Sequence, residues 1–89
     1  MSEKILVIED NLQVRENIIE ILEAEGYEMF QAENGTIGVD VARKKQPDLI
    51  ICDIMMPQMD GFMVLEELRR NILTVNIPFI FLTAKDTRD

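Results

Sequence analysis

The chain has 89 residues, 47% of them apolar, which is enough for one small core and too short for a second domain. With no histidine and one cysteine, it lacks the parts for a Ser-His-Asp or Cys-His nucleophile system, an imidazole-rich zinc site or an internal disulfide. A formal charge of -8 leaves no basic stripe for nucleic-acid phosphates, and the lack of a signal-like segment or an apolar run of about 18 residues makes a cytoplasmic, reduced setting the expectation.

The first element in chain order is Ile5-Leu6-Val7-Ile8, short, continuous and β-branched, as a strand buried on both faces would be. Leu12 to Glu25 then reads as a helix, with Val14, Ile18, Ile21 and Leu22 on one face, Glu16, Glu20 and Glu23 on another, and Gly26 as the stop. Tyr27 to Ala32 alternates and carries Glu28 and Gln31, the pattern of an edge strand. Thr36 to Gln46 forms a weaker helix, because Gly38 costs about 1 kcal/mol against Ala there, and Pro47 closes it.

Leu49-Ile50-Ile51-Cys52 is the next core strand, with Cys52 read as a small buried hydrophobe rather than a reactive thiol. A third helix starts near Gly61 and is expected to bury Phe62, Leu65 and Leu68, and Phe79-Ile80-Phe81-Leu82 makes a last strand. The methionines Met55, Met56, Met59 and Met63 read as core filling around a turn and helix. Alternation of strands and helices, joined by right-handed crossovers, gives an α/β fold with a parallel sheet and helices on both faces.

Ligands of open α/β sheets collect at the carboxyl ends of the strands. Glu9 and Asp10 follow the first strand, Asp53 ends the third, and Thr83 ends the fourth. If the first and third strands are neighbours, three carboxylates meet at one edge, and their repulsion calls for a hard divalent cation. Such a cation with open positions takes phosphoryl oxygens, and Asp53 is placed to attack phosphorus as a carboxylate nucleophile. Glu9-Asp10 alone is equally well explained by the preference of helix N-termini for acidic residues. The run from Asp53 through Pro57, Asp60 and Gly61 adds weight, because an ordinary Pro and Gly turn leaves an aspartate ending an apolar strand unexplained.

On these residues the sequence, from Lys4 through Lys85, resembles the receiver domain of two-component response regulators. The resemblance implies a three-layer flavodoxin-like fold with sheet order 2-1-3-4, in which the fifth strand and last two helices of the family pattern are missing, so that residues 1–89 make a single, C-terminally truncated receiver domain. It also implies that Asp53 accepts a phosphoryl group from a sensor histidine kinase or phosphotransfer protein. Mg2+ (or Mn2+) would be held directly by Asp10 and Asp53, by Glu9 through water and by the backbone carbonyl of Met55, with the Thr83 hydroxyl contacting the transferred group. The module is then a phosphorelay switch rather than a turnover enzyme.

The family's phosphate-binding lysine and switch aromatic have no counterpart here, so phosphorylation is expected to be impaired, and the bare sheet edge is expected to favour a homo-oligomer, a dimer first of all. An aspartyl phosphotransferase or phosphatase would want a second acid two residues after the nucleophile, where Met55 stands. An interaction or oligomerisation scaffold without phosphoryl chemistry is the other alternative. Met55 and Lys85 occupy the positions where the family tunes acyl phosphate hydrolysis, and neither is a general base at neutral pH. A long-lived phosphoryl state in a complete domain is therefore the expectation, and Met55→Asn or Lys85→Glu should speed the loss of labelled phosphate.

Overall fold

A computed structural model describes residues 2–82; Thr83 and Lys85 lie outside the described residues. The elements follow as β1 (Lys4–Ile8), α1 (Leu12–Ala24), β2 (Glu28–Ala32), α2 (Gly35–Lys45), β3 (Leu49–Asp53), α3 (Gly61–Arg69) and β4 (Phe79–Leu82). All strand pairs are parallel and the order is β2-β1-β3-β4, as the resemblance implied.

That order decides where the helices lie. The chain moves one way from β1 to β2 and then crosses back over β1 to reach β3, so right-handed connections place α1 on one face and α2 and α3 on the other. The α2–α3 face carries the core: Leu6, Ile8, Ile50 and Cys52 pack with Val39 and Ala42 of α2 and Val64 and Leu68 of α3. The opposite face is thinner. Ile80 there is 50% exposed, and on α1 Ile21 is 64% exposed. The apolar stripe read on α1 is present in sequence but only partly covered among the described residues, because α1 leans on β1 and β2 and leaves the β3–β4 half of that face open.

The helix ends follow local chemistry. Asn11, Asn34 and Asp60 cap α1, α2 and α3 by accepting the backbone N–H of Val14, Ile37 and Met63 at 3.0, 2.8 and 2.9 Å, each worth about 1 kcal/mol. After α1, Gly26 takes a φ of +99°, the left-handed turn that ends the helix. Two expectations need correction. Phe62 faces outward, 57% exposed, with its ring 4.9 Å from that of Phe81, and Val64 takes the buried position instead. The methionines divide: Met56 lies in the core and Met59, partly buried, packs against it, whereas Met55 and Met63 are exposed. Helical phase explains the first, since α3 begins at Gly61 and turns Val64 and Leu68, four residues apart, onto the sheet.

Gly61 ties the fold to the end of β3. Its N–H donates to the Ile54 carbonyl at 2.9 Å, and a Cβ at this position would lie 2.5 Å from the Asp53 carbonyl oxygen and 2.9 Å from the Ile54 Cα. Both obstacles are backbone, so neither can rotate away. Gly61→Ala should lower stability by about 1–3 kcal/mol, the range for overpacking, read as a shift of the urea midpoint.

Candidate functional site

The register of β1 and β3 builds the site. Ile8 pairs with Cys52, so Glu9, just past the end of β1, and Asp53, the last residue of β3, come side by side at the carboxyl ends. This is the switch point, where the chain departs to either side and a crevice opens. Asp10 follows Glu9 out of the strand. One carboxylate oxygen from each of Glu9, Asp10 and Asp53 lies within 4.8 Å of the others. Glu9 and Asp53 are buried and Asp10 is exposed. They line a cleft of about 410 Å³ together with Asn11, Val14, Met55 and Leu82.

Each acid is held differently. The Glu9 carboxylate accepts the Asn11 N–H at 2.9 Å, and its own N–H donates to the Ala32 carbonyl of β2 at 3.0 Å. Asp53 Oδ1 accepts the Met55 N–H at 3.3 Å. Met55 itself is 77% exposed at the mouth of the cleft. Asp60, seven residues beyond Asp53, is used as the cap of α3 and does not join the cluster. Of the residues singled out from sequence, Glu9, Asp10, Asp53 and Met55 are thus brought to one cleft.

Burial is the first cause of the Glu9 perturbation: its carboxyl is pushed up from the ordinary 4.5 to about 7. The Asn11 N–H works against this, and hydrogen bonding with Asp10 and the charges of Asp53 and Asp10 add to it. Burial likewise pushes the Cys52 thiol up to about 12, reinforced by Asp53, Glu9 and Asp60, which makes it an inert core group. The acidic cluster is therefore a charge-repelling site that either keeps a proton on Glu9 or gains a cation. Oxygen donors alone, partly open to water, fit a hard divalent ion such as Mg2+.

A family model described as the response regulator receiver domain matches residues 5–89. The chain belongs to this family. Receiver domains are the switch modules of two-component phosphorelay signalling. Among curated relatives, the receiver domain here is 39% identical over 84 residues to sporulation initiation phosphotransferase F of Bacillus subtilis, covering 94% of this chain and 66% of that protein. It is 40% identical over 89 residues to the phosphate regulon transcriptional regulatory protein PhoB of Pseudomonas aeruginosa, covering 100% of this chain and 39% of that protein. The chain thus spans slightly under two thirds of the first relative and much less of the second.

The solved chemotaxis protein CheY4 of Vibrio cholerae superposes with a TM-score of 0.91 at 29% identity, over 98% of this chain and 72% of that one. The receiver domain of a sensor histidine kinase from Pseudomonas aeruginosa PAO1, described with a magnesium ion coordinated in its active-site cleft, superposes with a TM-score of 0.84. It is 32% identical, over 94% of this chain and 69% of that one. Among the described residues, no helix of this receiver domain is long and apolar enough to cross a membrane.

Sequence reasoning missed Arg15, Asn11 and Gln31, which surround Glu9 or hold what surrounds it. The one available signal was an arginine at the position after Val14, on the side of α1 turned toward the sheet, where solvated charge was not expected.

Raising pH should destabilise the metal-free protein. Between 4.5 and about 7 the folded state keeps a proton on Glu9 that the unfolded state has released. Stability from this group is therefore full below 4.5 and lost as pH rises through about 7. Urea melts in chelator across this window should show a falling midpoint for the native chain, a flatter profile for Glu9→Gln, and recovery of the native chain on adding Mg2+.

Proposed function

We propose that this receiver domain accepts a phosphoryl group on Asp53 from a sensor histidine kinase or phosphotransfer protein, in the presence of Mg2+ or Mn2+. The observation that supports this reading most is the meeting of Glu9, Asp10 and Asp53 within 4.8 Å in one cleft at the switch point of the sheet. Asp10 and Asp53 would hold the ion directly, Glu9 through water, and the Met55 carbonyl would complete the protein's share. When bound, the ion neutralises the carboxylates and the phosphoryl oxygens.

The rest of the chemistry belongs to the chain. Met55 N–H engages Asp53 Oδ1, and Oδ2 has no protein donor among the described residues, which leaves it available as the nucleophile. A bond forms from this oxygen to phosphorus as the donor's phosphorus–nitrogen bond breaks, and the electron pair leaves with the imidazole nitrogen, which then takes a proton from water. The product is an acyl phosphate on Asp53. No acid stands at position 55 to activate water for its hydrolysis, which fits a switch that keeps its phosphoryl group rather than an enzyme that turns over. The Thr83 hydroxyl is assigned to contact with the transferred group. The buried free thiol of Cys52 suits a reduced, cytoplasmic setting.

Mg2+ with beryllium fluoride, a phosphoryl mimic, should shift the amide resonances of residues 9 to 11 and 53 to 55 in the native chain. Asp53→Asn should abolish the response while the rest of the spectrum stays native-like. A native chain with no response to Mg2+, beryllium fluoride or a small phosphodonor would instead fit a scaffold without phosphoryl chemistry.

A further inference from the structure

Arg15 is only 8% exposed, and a guanidinium is seldom buried without a carboxylate partner. Among the described residues it has none within ion-pair distance. Instead Nη1 donates to the backbone carbonyl of Glu9 at 2.8 Å, and Nε donates to Gln31 Oε1 of β2 at 2.7 Å.

The carbonyl it holds belongs to the peptide joining Glu9 to Asp10. That peptide lies just past the end of β1, at Ile8, where the ladder stops restraining the chain. The Glu9 N–H is fixed by Ala32 and the Glu9 carboxylate by Asn11, so the carbonyl is the remaining polar handle on this residue. Rotation about the peptide would swing Asp10 away from Asp53. A guanidinium is planar, so two of its donors, engaged on two acceptors, fix its orientation as well as its distance. Gln31 anchors that plane to β2, and Arg15 transmits the anchor to the Glu9–Asp10 peptide.

We propose that Arg15, braced by Gln31, is a positioning residue that sets the divalent-cation affinity of the acidic cluster by locking the peptide between Glu9 and Asp10. The proposal rests on the reading of that cluster as a cation site. Arg15 touches neither ion nor phosphoryl group; it acts through the backbone of the residues that do. Partners behind a ligand typically change metal affinity by about 10-fold or more when removed.

Mg2+ titrations of the 89-residue chain, followed by amide shifts well below the melting temperature, provide the test. Arg15→Met should weaken Mg2+ binding by about 10-fold. Arg15→Lys, which keeps the charge and can still reach the carbonyl, should recover part of this, and Gln31→Met should cause a smaller loss. A merely structural role would lower melting temperatures and leave the Mg2+ dissociation constant of each folded variant unchanged, and that result overturns the proposal. If Arg15→Met does not fold, Arg15→Lys and Gln31→Met decide: native affinity in both overturns it, and weakened affinity in either upholds it. Failure of the native chain itself to bind Mg2+ sinks the cation-site reading and this proposal together, whereas native binding with unaltered variants removes only the role of Arg15.

Discussion

Like charges held close in a half-buried crevice are the constraint around which this molecule is organised. Glu9 and Asp53 face each other because β1 and β3 are hydrogen-bonded neighbours in parallel register, and Asp10 joins them as the chain leaves the sheet. Burial of Glu9 is the first cause of the rise of its pKa to about 7, and hydrogen bonding with Asp10 and the charges of Asp53 and Asp10 add to it, so holding these groups together in the cleft costs free energy. A cleft of this kind is stable only if the surrounding backbone cannot relax and move the charges apart.

Much of the nearby structure serves to prevent that relaxation. Gly61 presses α3 against the end of β3, where even a methyl group would collide with the Asp53 carbonyl. Asn11 caps α1 with its side chain and holds the Glu9 carboxylate with its N–H, so the start of the helix and the orientation of the acid are set together. On the far side of the connection, Arg69 donates to the Ile77 carbonyl at 3.0 Å and Thr74 Oγ1 to the Leu68 carbonyl at 2.7 Å, which fastens the turn that delivers β4 beside β3. The tight α2–α3 face provides the rigid support, and the looser α1 face is the side on which the cleft opens.

Elements with strong local signals were legible from sequence. The β-branched runs at Ile5 and Leu49 read as core strands, and Gly26 falls where the left-handed backbone that ends α1 requires it, whereas the Asn11 and Asn34 caps were not picked out. The acidic members of the site were legible for the same reason, since aspartate at the end of an apolar strand is anomalous enough to notice. Phe62 was misjudged because an aromatic ring in an amphipathic helix looks like core until the helix phase is known. Arg15 was overlooked because a charged residue on a helix normally faces water, and only the packing of α1 against β2 brings it to Gln31 and the Glu9 carbonyl.

Residue order by itself determined the parallel α/β class, the strands and helices within a residue or two, and which carboxylates terminate core strands, since these depend on periodicity and on interactions a few residues long. The meeting of Glu9 and Asp10 with Asp53, some 43 positions apart in sequence, was decided by tertiary structure, as were the pairing of β1 with β3, the burial of Arg15 and the elevated pKa of Glu9. These properties depend on distances between chain segments and on exclusion of water, quantities that exist only once the crossover from β2 to β3 has closed over β1.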